Sequence, residues 1–406
     1  MPEAPRPEAA PSAARPPLDD RRDTLRCWFG FAGFYLCSFA VLGVYMQFFP
    51  AWLHDVRGFS EKDVAIVLSA QTISRTLAGP LWSQRVDRTG DARRVLLLLA
   101  TGSAGAFLLF ALAETTGIAW LVAFLFGCLY PPMHPIADAA AVQVGHERGF
   151  SFGRLRVVGS ASFLCVIVAV GAWLERAGTA RVFPFLAVAL VATAVSARFV
   201  PRPERPADAL PPPKTPWWRL LSSRKFVALL LGAALIQGSH ATYYNLSTVH
   251  WNAHGIGKSM AAVLWAEGVL AEIVLLFVAK HTVERLRPTT LLLLGGCGAI
   301  VRWTVLGATT SVPLLLATNW LHALSFAATY LGAIRALDRR VPAHQRATAQ
   351  GLLGAAAAGG GMVVCGLAGG FAYELAGGGA FYLMAGFAAV GVLLALALRR
   401  QADRGA

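Results

Sequence analysis

Six ionisable residues lie near the middle of apolar stretches in this 406-residue chain. An ionised group in lipid hydrocarbon costs several kcal/mol even on mild scales, so such residues normally face a wet cavity and pair with one another. The set is nearly charge-balanced, as pairing across a helix bundle requires. We therefore expect a binding or proton-transfer site within a membrane. The six residues are Arg75, Asp138, Arg156, Glu272, Arg302 and His322.

Asp138 and Arg156 form the first candidate pair. Asp138 lies in HPIADAAAV near the end of one apolar stretch, and Arg156 lies in FGRLRVVGS at the start of the next. Two antiparallel helices would bring the side chains together, and a buried charge without its partner is costly. The planar donor fork of arginine suits a carboxylate, which Asp138 or a ligand can supply. The pair either binds substrate or acts only as a clasp in the bundle.

Arg75 has no such partner in its own helix. It precedes Asp87 by twelve residues, which corresponds to about 18 Å of helix and places it in the middle of a membrane. No acid lies near it on the same helix face. Arg75 therefore meets another helix or a ligand, unless its side chain snorkels to the membrane surface.

A polar stripe occupies IQGSHATYYNLSTVHW, residues 236–251. Gln237, His240, Tyr244 and Ser247 recur at spacings of three, four and three, which places them on one helix face. Such a face is expected to point into the bundle. His240 titrates near neutral pH, so it can donate, accept or carry a proton. A hydrogen-bonded structural role is the alternative.

A third group combines Glu272, Arg302, Asn319 and His322. Burial favours the protonated form of a carboxyl group, and a nearby arginine favours the ionised form. A glutamate whose arginine partner alternates can therefore load and release a proton, and Arg302 is a candidate partner for Glu272. Asn319 and His322 are three residues apart and share a helix face. A purely structural Glu–Arg–His network is the alternative.

The composition supports a membrane location. Hydrophobic residues make up 56% of the chain, charged residues make up 14%, and the mean hydropathy is +0.55. Soluble proteins carry about 25% charged residues. About twelve apolar stretches have the length of about 20 residues that a bilayer span needs. They lie near 26–49, 63–84, 94–113, 118–140, 154–174, 182–199, 226–247, 260–280, 290–308, 312–335, 347–372 and 379–398.

The net charge of +14 does not indicate nucleic acid binding, because the basic residues follow a membrane topology. With both termini in the cytoplasm, the tails and cytoplasmic loops hold 28 of the 36 Lys and Arg residues, and the opposite face holds five. This bias is the positive-inside pattern. We therefore predict a multi-pass protein in the lipid bilayer of a bacterial inner membrane, with both termini cytoplasmic. We expect it to be a monomer.

A proline-rich, basic linker divides the chain into two halves. Similar segments follow the second and eighth stretches, VDRTGDARRVLLLL at 86–99 and VERLRPTTLLLL at 283–294, which indicates an internal duplication. Parallel halves with a substrate site between them near the midplane are a transporter architecture. The predicted organisation is a disordered cytoplasmic tail at 1–25, a six-helix half at 26–199, a cytoplasmic linker at 200–224, a six-helix half at 225–398 and a cytoplasmic tail at 399–406.

The loop SQRVDRTGDARR, residues 83–94, resembles the G-x-x-x-D-R-x-G-x-x-x-R motif of the major facilitator superfamily. Asp87, Arg88, Gly90 and Arg94 match this gating loop. Asp87 would either hold the N-terminus of the next helix or pair with a basic residue. Ser83 replaces the usual first glycine.

Other segments, over nearly the whole of 26–398, are similar to two branches of that superfamily. The lactose permease branch is resembled by FFPAWLHD at 48–55, FGRLRVVG at 152–159, Arg302 and the LH pair at 321–322. The 3-phenylpropionate permease family is resembled more closely by SHATYYNLSTVHW at 239–251, LWAEGVLAEI at 264–273 and WLHALSFAATY at 320–330.

The resemblance implies an all-α fold of twelve transmembrane helices, and a proton symporter that works by alternating access. Asp138 and Arg156 match the acid and the arginine with which the lactose permease binds sugar. Arg302 and His322 match members of its proton-coupling network. If protons are coupled here, we expect Glu272 to carry them.

Two departures argue against a galactoside. Ser325 stands where the coupling network of the permease has a glutamate, and Phe163 stands where its tryptophan stacks on the sugar. We instead predict proton-coupled import of a small organic solute, with an aromatic carboxylate such as 3-phenylpropionate as the expected class. The predicted substrate-binding residues are Arg75, Asp138, Arg156, Phe163, Gln237, His240, Tyr244 and Asn319, and the predicted proton-coupling residues are Glu272, Arg302 and His322. Tyr243 and Trp265 would help to flank an aromatic ring.

Other functions remain as alternatives. Within transport they are a sugar or nucleoside proton symporter and a drug-type exporter. An enzyme is not expected, because no HExxH or GxSxG motif lies near a membrane face. Six cysteines occur without CxxC or Cys/His metal spacing, so we expect neither a metal nor a cofactor. A sensor would need a signalling domain, and neither predicted tail is long enough to hold one.

Overall fold

The computed structural model describes residues 18–202, 217–278, 285–341 and 346–403, and in these ranges it contains helices and no strands. The all-α prediction is therefore confirmed. The first half contains α1 (Leu18–Asp55), α2 (Glu61–Thr89), α3 (Ala92–Leu108), α4 (Thr116–Leu129), α5 (Met133–Arg148), α6 (Phe152–Ala177) and α7 (Val182–Ala197). The second half contains α8 (Arg224–Gly238), α9 (Ala241–Ala253), α10 (Lys258–Val278), α11 (Pro288–Ala308), α12 (Val312–Asn319), α13 (Thr329–Asp338), α14 (Arg346–Gly354), α15 (Met362–Ala376) and α16 (Ala380–Asp403).

Helix is present at each of the twelve predicted apolar stretches. Within the described ranges, nine helical segments are long and apolar enough to cross a membrane. One of the nine, Ala349–Arg400, contains α15 and α16, which pack against each other on either side of the turn Gly377–Gly379. Two further stretches, α2 and α10, are helical but are not among the nine, and both carry ionisable residues in their interior. The number of twelve crossings stays a prediction.

Local sequence explains where several helices begin, end or break. Ser60 caps α2 by accepting a hydrogen bond from the Asp63 N–H at 3.2 Å. Gly90 ends α2 in the left-handed conformation, with φ of 67°, which glycine adopts without a Cβ penalty. The pair Pro131–Pro132 separates α4 from α5, because proline cannot continue the hydrogen-bond ladder. Two π-helical segments, Ala323–Ala328 and Ala355–Gly361, interrupt helices of the second half.

The predicted domain boundaries need correction at the ends. Residues 18–25 are helical and belong to α1 instead of the tail, where Thr24 donates a hydrogen bond to the Arg148 carbonyl at 2.9 Å. The polar first part of α1 therefore contacts the end of α5. Residues 399–403 likewise belong to α16. Residues 1–17, most of the linker (203–216) and 404–406 lie outside the described ranges.

An aromatic cluster fixes α1 within the first half. The ring of Phe49 lies 4.5 Å from that of Tyr45, 5.5 Å from Trp52 and 4.9 Å from Phe110, measured between centroids. Such contacts stabilise by about 0.5–1.5 kcal/mol each beyond the buried area. These contacts fix the position of α1, which also carries Tyr35 and Phe39, beside the space between the halves.

Among the described residues, the two halves contact each other most extensively along the helix pairs α2 with α15, α6 with α10 and α1 with α9. At the face away from the termini, Lys62 forms a 3.3 Å ion pair with Glu374, and Glu175 accepts a 3.0 Å hydrogen bond from the Ser259 N–H. At the face of the termini, α5 packs on α1, α3 and α6, and α13 packs on α8, α11 and α14, each within its own half. Among the described residues, the polar contacts that join the halves at a membrane face therefore lie at the face away from the termini.

Candidate functional site

Two adjoining cavities lie between the halves. The larger has a volume of about 490 Å³ and the smaller about 260 Å³. The larger falls within the usual range for small-molecule sites, about 300–1,000 Å³. The two cavities are neighbours, because four residues line both of them: Phe39, Leu42, Met46 and Tyr244.

The predicted pair Asp138 and Arg156 meets on the wall of the larger cavity. Their charged atoms are 3.7 Å apart, and the side chains are 33% and 45% exposed, so a ligand can reach both. Tyr35, which is buried, donates its hydroxyl hydrogen to Asp138. The guanidinium of Arg156 lies 4.7 Å from the centre of the Phe39 ring, a cation–π distance. α1 therefore positions both members of the pair.

Arg75 lines the same cavity and reaches across to the second half. Its guanidinium donates a 2.6 Å hydrogen bond to the carbonyl of Ala358, which lies in the π-helical segment Ala355–Gly361. Its side chain is exposed to the cavity instead of snorkelling to a membrane surface. Among the described side chains, no acid of α2 pairs with Arg75. Its partner is instead a backbone carbonyl of another helix.

A hydrogen-bonded chain connects the predicted proton-coupling residues. Glu272 lies 2.8 Å from Nε2 of His322, and Nδ1 of His322 lies 2.9 Å from the Arg302 guanidinium. Arg302 also donates to Asn319, which in turn donates to the Leu264 carbonyl at 2.6 Å. Glu272 thus does not contact Arg302 directly, in contrast to the prediction from sequence. The imidazole of His322 lies between the two side chains and contacts both. Glu272 and His322 line the smaller cavity, whereas Arg302 is 3% exposed.

The protonation state of His322 follows from these contacts. A guanidinium only donates hydrogen bonds, so Nδ1 of His322 must accept, and the ring proton is carried by Nε2 and donated to Glu272. His322 is therefore the neutral tautomer in this arrangement. The chain then holds one positive group, one neutral ring and one carboxyl.

The polar stripe of residues 236–251 is not on one continuous helix, because the helix breaks at Ser239 and His240 between α8 and α9. Gln237 donates to the Phe326 carbonyl at 2.9 Å, and His240 contacts Ser325 at 3.0 Å. Neither residue is among the described ones that line the two cavities, and neither is Asn319. Of the stripe, Tyr244 faces both cavities.

Aromatic side chains wall the smaller cavity. Phe163, Tyr243, Tyr244 and Trp265 all line it, as the sequence predicts for residues that flank a ring. Tyr243 stacks on Trp265 with ring centroids 5.3 Å apart, and the Trp265 indole N–H donates to Ser247 at 3.1 Å. These contacts hold the rings in place before any ligand enters.

The predicted gating loop has a different capping residue. The N-cap of α3 is Asp91, whose carboxylate accepts a hydrogen bond from the Arg94 N–H at 2.9 Å. The helix-capping role expected for Asp87 therefore belongs to Asp91, which lies at the helix start whereas Asp87 lies within α2. The Asp87 side chain lies outside the described part, and Arg88 lies one residue before the end of α2.

Sequence reasoning did not single out Tyr35, Phe39 or His134. His134 lies one helical turn before Asp138 and lines the larger cavity, and its Nε2 is buried without a hydrogen-bond partner among the described residues. Its spacing of four from Asp138 is the signal that places both on one helix face. Nothing in the sequence pairs Tyr35 with Asp138, because the two are 103 residues apart.

An all-helical bundle in two halves, with charged side chains on the wall of a central cavity, is an architecture typical of membrane transporters. The chain belongs to the MFS_1 like family, which matches residues 29–384. This confirms the resemblance to the major facilitator superfamily. The protein is a multi-pass membrane transporter and not an enzyme. Its relatives and structural neighbours are transporters too.

The probable 3-phenylpropionic acid transporter of Escherichia coli (strain K12) is 28% identical over 361 residues, which cover 86% of this chain and 92% of the relative. The lactose permease of Citrobacter freundii is 28% identical over 138 residues, which cover 32% of this chain and 33% of the permease. The crystal structure of the nucleoside transporter NupG (D323A mutant) matches with a TM-score of 0.80 at 14% identity and covers 92% of this chain and 99% of that chain. The structural match shows the shared fold.

Proposed function

We propose that the protein imports a small organic solute together with protons, and that an aromatic carboxylate such as 3-phenylpropionate is the substrate class. It acts as a monomer in the bacterial inner membrane with both termini cytoplasmic. The substrate occupies the two adjoining cavities and meets Arg75 and Arg156 in the larger one and the aromatic wall in the smaller one. Glu272 carries the proton.

The charge on the cavity walls carries this proposal. Four residues that are ionised at neutral pH in water line the two cavities: Arg75, Arg156, Asp138 and Glu272. Their formal charges cancel when both carboxyls are ionised. A proton on Glu272 leaves one positive charge in excess, and a carboxylate that enters the cavity cancels it. Proton binding and carboxylate binding therefore favour each other, and this coupling is reciprocal.

The hydrogen bonds around Glu272 support its role as the proton carrier. His322 is held as a neutral ring by Arg302, so a second ring proton would place an N–H group against the guanidinium. The Glu272 carboxyl has no such obstacle and faces the cavity through which substrate and water pass. The carboxyl can therefore gain and lose a proton without breaking the contact of His322 with Arg302.

The aromatic wall supports a ring-bearing substrate. Phe163, Tyr244 and Trp265 line the smaller cavity. Aromatic pairs stabilise by about 0.5–1.5 kcal/mol beyond area burial. We further propose that the cavity opens toward the face of the termini, which is cytoplasmic in the topology that the basic residues favour, because this suits release of an imported solute.

A sugar or nucleoside is the second candidate, since the NupG fold and the lactose permease match extend to transporters of those names. A neutral solute, however, leaves the guanidinium of Arg75 with only a carbonyl partner. It also gains nothing from the positive charge that a proton on Glu272 creates. The wall charges therefore favour the carboxylate.

Solute-induced alkalinisation in proteoliposomes tests the proposal. The parent protein is expected to take up protons when 3-phenylpropionate is added, and Asp138→Asn is expected to weaken uptake while keeping the coupling. Glu272→Gln is expected to lose alkalinisation and to keep exchange of internal for external solute. Competition by neutral sugars without competition by aromatic acids would overturn the substrate class, and full proton coupling in Glu272→Gln would overturn the assignment of the carrier.

A further inference from the structure

Arg75 forms a hydrogen bond that joins the two halves in the middle of the bundle. It belongs to α2 of the first half, and its partner is the carbonyl of Ala358 in the second half, at 2.6 Å. Within the described residues no carboxylate lies within ion-pair distance of this guanidinium. The positive charge of Arg75 therefore has a neutral backbone carbonyl as its partner.

The π-helical segment Ala355–Gly361 makes this carbonyl accessible. Its sequence is AAAAGGG, so no bulky side chain covers the backbone on the cavity side. Gly359 packs against α2, where an added Cβ would lie 2.9 Å from Oγ1 of Thr76. The absence of a side chain at Gly359 therefore lets the segment approach α2 closely enough for Arg75 to reach Ala358. π-Helical turns of this kind are often found at functional sites.

Arg75 also lines the larger cavity, as Arg156 does. A carboxylate is a stronger acceptor than a neutral carbonyl, since hydrogen bonds between ionised partners are roughly twice as strong. An anionic ligand in the cavity therefore competes with Ala358 for Arg75.

We propose that Arg75 exchanges the Ala358 carbonyl for the substrate carboxylate, and that this exchange releases α2 from the segment Ala355–Gly361. The inference rests on the proposed function, which supplies the carboxylate. A neutral solute of the same shape cannot drive the exchange, because it does not compete for the charge. Arg75 is thus the residue that makes a contact between the halves depend on the charge of the ligand.

Hydrogen–deuterium exchange of the full-length protein in lipid nanodiscs tests this. The probes are 3-phenylpropionate and its neutral amide, 3-phenylpropanamide, at saturating and equal concentrations. In the parent protein the acid is expected to raise amide exchange in peptides that cover residues 355–362 by about threefold or more, and the amide is expected to leave it unchanged. Binding of each probe is measured in the same preparation.

Two variants of Arg75 separate its charge from its shape. Arg75→Gln removes the charge, and Arg75→Lys keeps the charge but loses the planar fork. Both are expected to show fast exchange at 355–362 without ligand and no further response to the acid. Arg75→Gln is expected to bind the acid at least about tenfold more weakly, as for loss of a hydrogen bond to a charged group. Arg85→Gln, an exposed arginine on the same helix that lines neither cavity, is the matched control and is expected to behave like the parent.

The outcomes distinguish the two proposals. If the parent binds the acid and amide hydrogen exchange at 355–362 does not change, the proposed switch of Arg75 from Ala358 to the carboxylate is wrong. The proposed function stands in that case. If Arg75→Gln responds to the acid as the parent does, the role of Arg75 is wrong. If the parent neither binds nor transports the acid, the substrate class falls and this inference falls with it. Should both variants fail to fold, the comparison of acid and amide on the parent still decides.

Discussion

The Nδ1 atom of His322 lies 2.9 Å from a guanidinium nitrogen of Arg302. Because the guanidinium can only donate, this contact places the ring proton on Nε2, which faces Glu272 at 2.8 Å. An arginine, a neutral histidine and a glutamate therefore form one directed chain that ends at the cavity wall. The direction of the chain, from the buried guanidinium outward, supports the proposal that the carboxyl is the proton carrier.

Replacement of His322 tests this chain. His322→Gln is expected to keep solute exchange, because an amide oxygen can accept from Arg302 and an amide N–H can donate to Glu272. His322→Phe removes both contacts and leaves the buried Arg302 short of an acceptor, which costs about 1–3 kcal/mol. Thermal unfolding in detergent measures the difference. Equal Tm values for the two variants would contradict the contacts of His322.

Tyr35→Phe tests how α1 positions the acid–arginine pair. The variant keeps the ring packing but removes the hydroxyl that donates to Asp138. Apparent substrate affinity is expected to fall by about tenfold, the lower end for a hydrogen bond to a charged group. Tyr373→Phe is the control, since that hydroxyl bonds to Nδ1 of His250 at 2.8 Å, away from both cavities. An equal loss of affinity in the control would show that Tyr35 acts only through stability.

The aromatic wall predicts a change in selectivity. Trp265→Ala removes the ring on which Tyr243 stacks, so competition by 3-phenylpropionate is expected to weaken by about tenfold, whereas competition by propionate changes little. Trp173→Ala, which removes a 43% exposed tryptophan of α6, is the control. Competition assays in proteoliposomes measure both. An equal loss for the two acids would mean that Trp265 does not contact the ring.

The ion pair of Lys62 with Glu374 is expected to help hold the two halves together at the face away from the termini. The side chains are 35% and 40% exposed, so the pair contributes at most about 1 kcal/mol. Lys62→Glu is expected to raise access of water to this face, measured as faster amide exchange in peptides that cover 61–70. The double variant Lys62→Glu with Glu374→Lys is expected to restore the parent rate. A double variant no better than the single one would exclude a direct role for the pair.

The close approach of α8 to the glycine-rich segment predicts a strong packing effect. A Cβ at Gly361 would lie 2.4 Å from the Ala234 carbonyl oxygen, which is backbone and cannot move away easily. Gly361→Ala is therefore expected to lower stability by about 1–3 kcal/mol. Gly354→Ala, with no atom within 4 Å of the added Cβ, is the matched control and is expected to be neutral or slightly stabilising. Thermal unfolding of the two variants measures the contrast.

The positions of the helices were predictable from sequence. Each of the twelve apolar stretches is helical, because a run of apolar residues in a bilayer has only its own backbone to hydrogen-bond with. The helix ends were less predictable: α1 begins at Leu18, before the apolar stretch, and its polar first part contacts the end of α5 through Thr24. Such a contact lies 124 residues away in the chain and leaves no local pattern.

The site was predictable in part, for a related reason. Residue type and depth picked out Asp138 with Arg156, and Glu272, Arg302 and His322, since buried charge needs a partner and few partners were available. The order of the contacts was not predictable. That His322 lies between Glu272 and Arg302, and that His240 and Gln237 bond within the second half, depends on how α8, α10, α11 and the π-helical segment Ala323–Ala328 pack together.

The sequence by itself determined that this protein spans a membrane, carries costly charges in its middle and belongs with the major facilitator superfamily, because length, hydropathy and the types of intramembrane residues are local properties. The tertiary structure alone decided the partner of Arg75. That partner is a backbone carbonyl in a π-helical segment of the other half. A main-chain oxygen has no residue type by which a sequence can reveal it, and its accessibility exists only after the two halves have packed.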